Sequence, residues 1–258
     1  MKRKVYICLL LLLLFPISTS AQMLDAESLP NNLREDLLLN TGFFEGEQAY
    51  STVAGNFDGQ GISFGILQFN LGQNTLEPLL EEYIRNYPRD FETIFGEEKS
   101  QTLKQILKES HNTQRKWATT ISIPGQAHKL KPDWQQAFEQ MGKTKENQQI
   151  QRKYALVYIE LALGISQQLG IKSTQGLAFS FDQIVNDGSF PQYKDVKKEV
   201  GARGNIDDKE RLQIILRFIK KGVQYERRDL IFRGSGLYFG RDYKINNYGQ
   251  LSYRNNWR

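Results

Sequence analysis

Leucines at 33, 37, 38 and 39 fall on helical spacing and predict a short helix from Asn32 to Asn40, ended by Thr41-Gly42. From Tyr50 to Gly72 the pattern changes. Gly55, Gly59, Gly61, Gly65 and Gly72 punctuate alternating polar and apolar residues, which predicts short strands and tight turns, the one candidate β region before the C-terminus. Helical spacing then returns over Leu76 to Tyr87, Lys99 to Lys108, Pro132 to Met141 and a long run from Asn147 to Leu169. Pro132 suits a first helical turn and Gly170 a C-cap. Ser173 is positioned to cap a further helix whose Leu177, Phe179, Phe181, Ile184 and Val185 are apolar on most sides, as in a central buried helix, and Asp187-Gly188 ends it. An amphipathic helix follows from Asp207 to Lys221. The tail from Leu230 is rich in tyrosine, glycine and asparagine and predicts irregular structure or a small hairpin. No internal repeat or interdomain linker is evident.

The N-terminus adds a processing signal to this picture. Met1-Lys2-Arg3-Lys4, an apolar run from Val5 to Phe15, and Thr19-Ser20-Ala21 follow the order of a secretory signal peptide over residues 1–21, with cleavage expected after Ala21. The run is about half of what spans a membrane, so the mature chain, residues 22–258, is expected as one secreted domain, monomeric and without a membrane partner. Cleavage removes three of the 34 basic residues, leaving 31 against 29 acidic ones and lowering the net charge from +5 to +2. With that balance and no block of like charge, nucleic acid is not an expected partner. The only cysteine, Cys8, departs with the signal, so no disulfide or thiol nucleophile remains. His111 and His128 are too few for a histidine-rich zinc site, and no metal or cofactor is expected. Chemistry is left to carboxylates, hydroxyls, amides and arginines.

Two carboxylates bracket the glycine-rich stretch. Glu45 follows Phe43-Phe44 at a helix end, where half-burial against the rings would favour a protonated carboxyl, although a solvated glutamate fits the same position. Asp58 lies in Asn56-Phe57-Asp58-Gly59-Gln60-Gly61-Ile62-Ser63-Phe64-Gly65, among amides that favour its ionised form; an Asx turn is the plainer alternative. Read as a calcium loop, the stretch has Leu67 where the twelfth position needs glutamate. Read as a dinucleotide fingerprint, it has Phe64 in place of the third glycine. Gly61-Ile62-Ser63-Phe64-Gly65 matches a serine-hydrolase elbow but lacks both an apolar strand before it and a late histidine.

At these residues the chain resembles the family 46 chitosanases. The resemblance rests on Glu45 at the end of an N-terminal helix, on Phe57 to Ser63, and on Ala178-Phe179-Ser180-Phe181-Asp182-Gln183-Ile184-Val185, which is similar to the family's buried helix. Asp133-Trp134 and the helix from Tyr154 to Leu169 fall between them in the family's order. The resemblance covers roughly Leu33 to Gly188. It implies a mainly α (α+β), two-lobed, lysozyme-like fold with a small β region beside the catalytic cleft, and secreted, inverting endo-hydrolysis of β-1,4 linkages in an amino-sugar polysaccharide. By the same resemblance Glu45 is the general acid, Asp58 the general base and Ser63 a residue that positions water. Asp182 joins a supporting network with Arg217 and Arg228, Arg233 being a third candidate. Tyr50, Asn56, Phe57, Gln60, Gln68 and Asn70 are candidate sugar contacts. Gln60 stands where the family usually carries arginine, the loop between the carboxylates is shorter, and the mature charge is slightly positive although chitosan is a polycation. The layout is also similar to lysozyme-like proteins acting on peptidoglycan, and a glycan-binding protein without catalysis is a further reading. An inverting geometry requires carboxyl groups roughly 6.5 to 9.5 Å apart.

Overall fold

Pro30 precedes the first long helix, α1 (Asn31–Glu45), whose Leu33, Leu37 and Leu38 are buried on one side. α1 therefore runs past Thr41-Gly42, where the sequence predicts its end. Gly42 and Phe44 are buried, and the rings of Phe43 and Phe44 pack on Tyr238 and Tyr243, so tertiary contact carries the helix one turn further than local propensity favours. The computed structural model describes residues 25–245 apart from 47, 189 and 191. The expected signal over residues 1–21, with Cys8, and the tail beyond 245 lie outside the described residues. Those described divide into two compact units, one of Tyr50–Gln151 and the other of residues 25–49 and 152–245.

The Tyr50–Gln151 unit begins with a three-stranded antiparallel sheet, β1 (Val53–Ala54), β2 (Ser63–Phe64) and β3 (Phe69–Asn70), in register Val53↔Phe64, Ser63↔Asn70 and Phe64↔Phe69. The polar glycine-rich segment is the β1–β2 connection. Helices α2 (Leu76–Asn86), α3 (Pro88–Ile106) and α4 (His111–Ile121) follow. α3 is two helical segments joined at Gly96, where φ is +70° and helical geometry is interrupted. The Ser110 hydroxyl starts α4 by accepting from the Thr113 amide at 3.3 Å. A second β element, absent from the sequence reading, is the hairpin β4 (Ser122–Ile123) and β5 (Gln126–Leu130), turned at Gly125 with φ +76°. It forms because Pro124-Gly125 supplies the turn and β5 packs beside β1, the Gly55 amide donating to the His128 carbonyl at 3.1 Å. α5 (Pro132–Lys143) has proline in its first turn. Phe138 sits between Phe64 and Phe95 in the aromatic core, its ring centroid 5.5 Å from the first and 5.2 Å from the second.

α6 (Lys145–Gln168) carries the chain from the first unit into the second. There α7 (Thr174–Asp187) is the buried helix the sequence predicts: the Ser173 hydroxyl accepts from the Gly176 amide at 3.0 Å, and Gly188 ends it at φ +63°. α8 (Tyr193–Arg203), α9 (Asp208–Phe218) and α10 (Val223–Arg233) follow, then the hairpin β6 (Ser235–Tyr238) and β7 (Arg241–Lys244). α8 and α10 are helices the apolar pattern does not reveal, since each buries only a few side chains. The hairpin agrees with the expectation for the tail. The fold is mainly α with small antiparallel sheets.

Candidate active site

Glu45 is the last residue of α1, and its side chain is 20% exposed. Its partner is a cation. Arg227 of α10, almost wholly buried, donates from Nη2 to Glu45 Oε1 at 2.9 Å and, from the same nitrogen, to Asp182 Oδ1 at 2.6 Å. Arg227 Nε also reaches Asp182 Oδ1, at 3.1 Å. Asp182 lies on α7 with no exposed surface; Arg228 Nε approaches its other oxygen at 3.5 Å, and Arg228 Nη2 lies 3.2 Å from Asp187 Oδ2. Asn186 donates to Asp182 Oδ1 at 3.3 Å. Three carboxylates and two guanidiniums thus form one connected cluster, in which every charge except those of Glu45 and Asp187 is buried.

The two arginines sit in opposite electrostatic situations. Burial lowers the Arg227 pKa, but Asp182 and Glu45 together outweigh it and hold the group above the ordinary arginine value. For Arg228 burial wins over Asp182 and Asp187, with repulsion from Arg227 added, and its pKa is pushed down. The guanidinium of Arg227 also lies 4.7 Å from the Phe44 ring centroid, a cation–π contact. The rings of Phe43 and Phe44 meet Tyr238 and Tyr243, and the Glu45 carboxyl pairs directly with Arg227. Burial raises the phenol pKa values of Tyr238 and Tyr243.

Asp58 belongs to the other unit, on the exposed β1–β2 connection, where Oδ1 accepts from the Gln60 amide at 3.0 Å. The Asx turn is therefore present, and the Asp58 side chain is otherwise exposed. Phe57 beside it is 62% exposed. Ser63 is buried, and its hydroxyl accepts from Asn70 Nδ2 at 2.7 Å. The other expected sugar contacts are mostly structural. Asn56 holds the loop closed, accepting from the Gly61 amide at 2.7 Å and donating to Thr119 Oγ1 at 2.7 Å and to the Arg115 carbonyl at 3.1 Å. Asn70 Oδ1 accepts from the Gly72 amide, Gln68 Nε2 donates to the Gly65 carbonyl at 2.9 Å, and Tyr50 is core, only 6% exposed. These positions are polar because the tight turns need side chains to satisfy backbone groups. Gln60 is half-buried, its carbonyl accepting from the Gly72 amide.

Arg217 is corrected: it is half-exposed on α9 and pairs with Glu199 on α8. Arg233 pairs with Asp229 one turn away. Arg227, which bridges Glu45 and Asp182, was not among the expected partners, although the adjacent Arg228 was. The sequence signal is faint, because α10 has no strong apolar stripe and two consecutive arginines read as a solvated face. Among the described residues no three or more His, Cys, Asp or Glu side chains are placed so that they could hold a metal ion together.

No protein-family model matches the chain, and no curated protein matches it. Solved structures do. Native chitosanase from Bacillus subtilis MY002 superimposes with a TM-score of 0.57 at 19% identity, covering 86% of this chain and 99% of that one. A family 46 chitosanase from Gynuella sunshinyii, in complex with chitotetraose, gives 0.56 at 16% identity over 84% and 99%. A variant of the Bacillus subtilis MY002 chitosanase complexed with 6 GlcN gives 0.55 at 17% identity over 86% and 99%. The chain therefore has the fold of these enzymes.

Proposed function

We propose that the protein is a secreted, endo-acting glycoside hydrolase that cleaves β-1,4 linkages of an amino-sugar polysaccharide by an inverting mechanism. The observation that carries this reading is Glu45, placed at the end of α1 and bound through Arg227 to the fully buried Asp182, within a fold shared with chitosanases. A buried ion cluster of this size costs desolvation that an apolar core would avoid, so its presence beside the partly exposed Glu45 carboxyl group is an argument for function.

In the proposed reaction Glu45 gives its proton to the glycosidic oxygen as the bond from that oxygen to the anomeric carbon breaks. Asp58 takes a proton from water, whose oxygen forms the new bond to the same carbon from the opposite face. With Glu45 carrying its proton, the cluster balances two guanidiniums against Asp182 and Asp187. After transfer the Glu45 carboxylate is held by Arg227, which stabilises the product state of that step. Ser63, already accepting from Asn70, has its hydroxyl proton for the attacking water.

A second observation favours a substrate without free amines. The Asp58 loop rests on α4 and β5, and residues 110–132 carry Arg115, Lys116, Lys129 and Lys131 with no acidic residue. Cationic surroundings oppose a polycation such as chitosan and suit an N-acetylated or anionic glycan such as peptidoglycan.

The test is release of reducing ends by residues 22–258 from chitosan and from peptidoglycan, beside Glu45→Gln. Activity on either polymer that falls about 100-fold or more in the variant is expected, with little change in stability. Binding without new reducing ends would leave a glycan-binding protein, and a first-formed product of retained anomeric configuration would remove the inverting mechanism.

A further inference from the structure

We infer that Arg241 is a positioning residue for Glu45, fixing the backbone that presents the carboxyl group while Arg227 holds the carboxyl itself; the inference rests on the hydrolase reading above. The last carbonyls of a helix have no intrahelical donor. At the end of α1 this gap falls on the residues that carry Glu45. Arg241, on β7, donates from Nη2 to the Phe43 carbonyl at 2.6 Å and from Nη1 to the Gly46 carbonyl at 3.5 Å, so one planar guanidinium spans the chain on both sides of Glu45. Its Cζ lies 4.4 Å over the Phe43 ring centroid, a cation–π contact that adds to the hold on the same residue. A cation at this helix end also suits the dipole, whose negative pole is there.

The hairpin is built to bring Arg241 to that place. Tyr238 and Arg241 are paired across a two-residue turn, Phe239-Gly240, with φ of +46° and +80°. Both central residues are left-handed, as in a type I′ hairpin turn, a conformation that strains a phenylalanine. From the other end of the turn Tyr238 packs edge-on against Phe44, with centroids 4.9 Å apart. With Tyr243, whose ring meets Phe43 and Phe44 at 5.4 Å and 5.1 Å, the hairpin therefore grips the two residues before Glu45 through two rings and one guanidinium. Freed of that grip, the last turn of α1 frays as helix ends do, and the carboxyl moves by the fraction of an ångström to which proton transfer is sensitive.

The experiment compares Arg241→Ala and Arg241→Lys with the wild type and Glu45→Gln on the polymer that the wild type cleaves, together with hydrogen exchange at the Gly46 amide, which donates to the Gly42 carbonyl at 3.2 Å. In Arg241→Ala, kcat is expected to fall about 10- to 100-fold with KM within about twofold. Arg241→Lys, which keeps the charge but not the fork, should lie between, and exchange at Gly46 should quicken in the same order. A wild-type kcat in a folded Arg241→Ala protein overturns the inference, as does a rise in KM alone. If Glu45→Gln is itself fully active, the hydrolase role of Glu45 is what fails; unchanged exchange at Gly46 in Arg241→Ala would then dispose of the grip separately.

Discussion

Truncating Asp182 to alanine tests whether the buried cluster bears on stability as well as on Glu45. In the native protein the Asp182 side chain has no exposed surface, and its oxygens lie 2.6 Å from Arg227 and 3.5 Å from Arg228, whose side chains are 4% and 0% exposed. Without it Arg227 keeps only Glu45 among its carboxylate partners, and Arg228 keeps only Asp187. Removing one partner from a buried ion pair costs about 3–5 kcal/mol, because the remaining charge is desolvated without compensation. That is a large share of the roughly 5–15 kcal/mol that holds a domain folded. For a chain of this size it corresponds to a fall in Tm of about 6–20 °C. Urea unfolding followed by circular dichroism gives the loss directly as a shift of midpoint at unchanged slope. A loss below about 1 kcal/mol would refute the reasoning, since it would mean that the arginines find water or other partners at no cost. A second variant separates charge from packing: adding Arg227→Met to Asp182→Ala removes the stranded cation and should restore part of the stability without restoring activity. If the double variant is less stable than the sum of the single losses, the cost lies in packing and not in charge.

Three further expectations rest on other parts of the structure. Gly65 has φ +85°, and a Cβ there would lie 2.3 Å from Gln151 Oε1, which accepts from the Ile66 amide, so Gly65→Ala should cost about 2–4 kcal/mol; a midpoint within experimental scatter of the wild type would contradict this. Phe57→Ala removes an exposed ring beside Asp58, and should raise KM for the polymer about fivefold with stability unchanged, about 1 kcal/mol of ring contact; an unaltered KM would exclude Phe57 from substrate binding. Tyr243 is buried, with its phenol pKa raised above the ordinary 10 by burial and its hydroxyl without a hydrogen-bond partner among the described residues. Above pH 10 the unfolded chain releases this proton before the native one does, so stability falls with rising pH by up to about 1.4 kcal/mol per unit. Tyr243→Phe should flatten that decline without loss at pH 7, and an equal alkaline decline in the variant would count against the assignment.

The elements written most strongly in the sequence are those whose signals are local. α7 has a capping serine, an apolar surface on most sides and a terminating glycine, and each acts within the helix itself. The glycine-rich stretch could only turn, and it supplies the β1–β2 connection with Asp58 at its tip. Glu45 stands out as a carboxyl directly after two aromatics at a helix end, and Asp182 only through the resemblance of its helix to that of the family 46 chitosanases. Tertiary structure decided the rest, where the deciding energy came from residues distant in sequence. α1 reaches Glu45 because Tyr238 and Tyr243, nearly 200 positions later, pack on Phe43 and Phe44. Asn56 and Asn70 fasten turns, a role set by which amides the folded loop leaves unpaired. Two adjacent arginines on α10 share the buried Asp182, but the packing of α10 turns Arg227 towards Glu45 and Arg228 towards Asp187, while Arg217 on α9 meets a surface glutamate. A charge carries no mark in the sequence of the partner it will meet; that choice is made when burial leaves an ion without water and only one neighbour within reach can replace it.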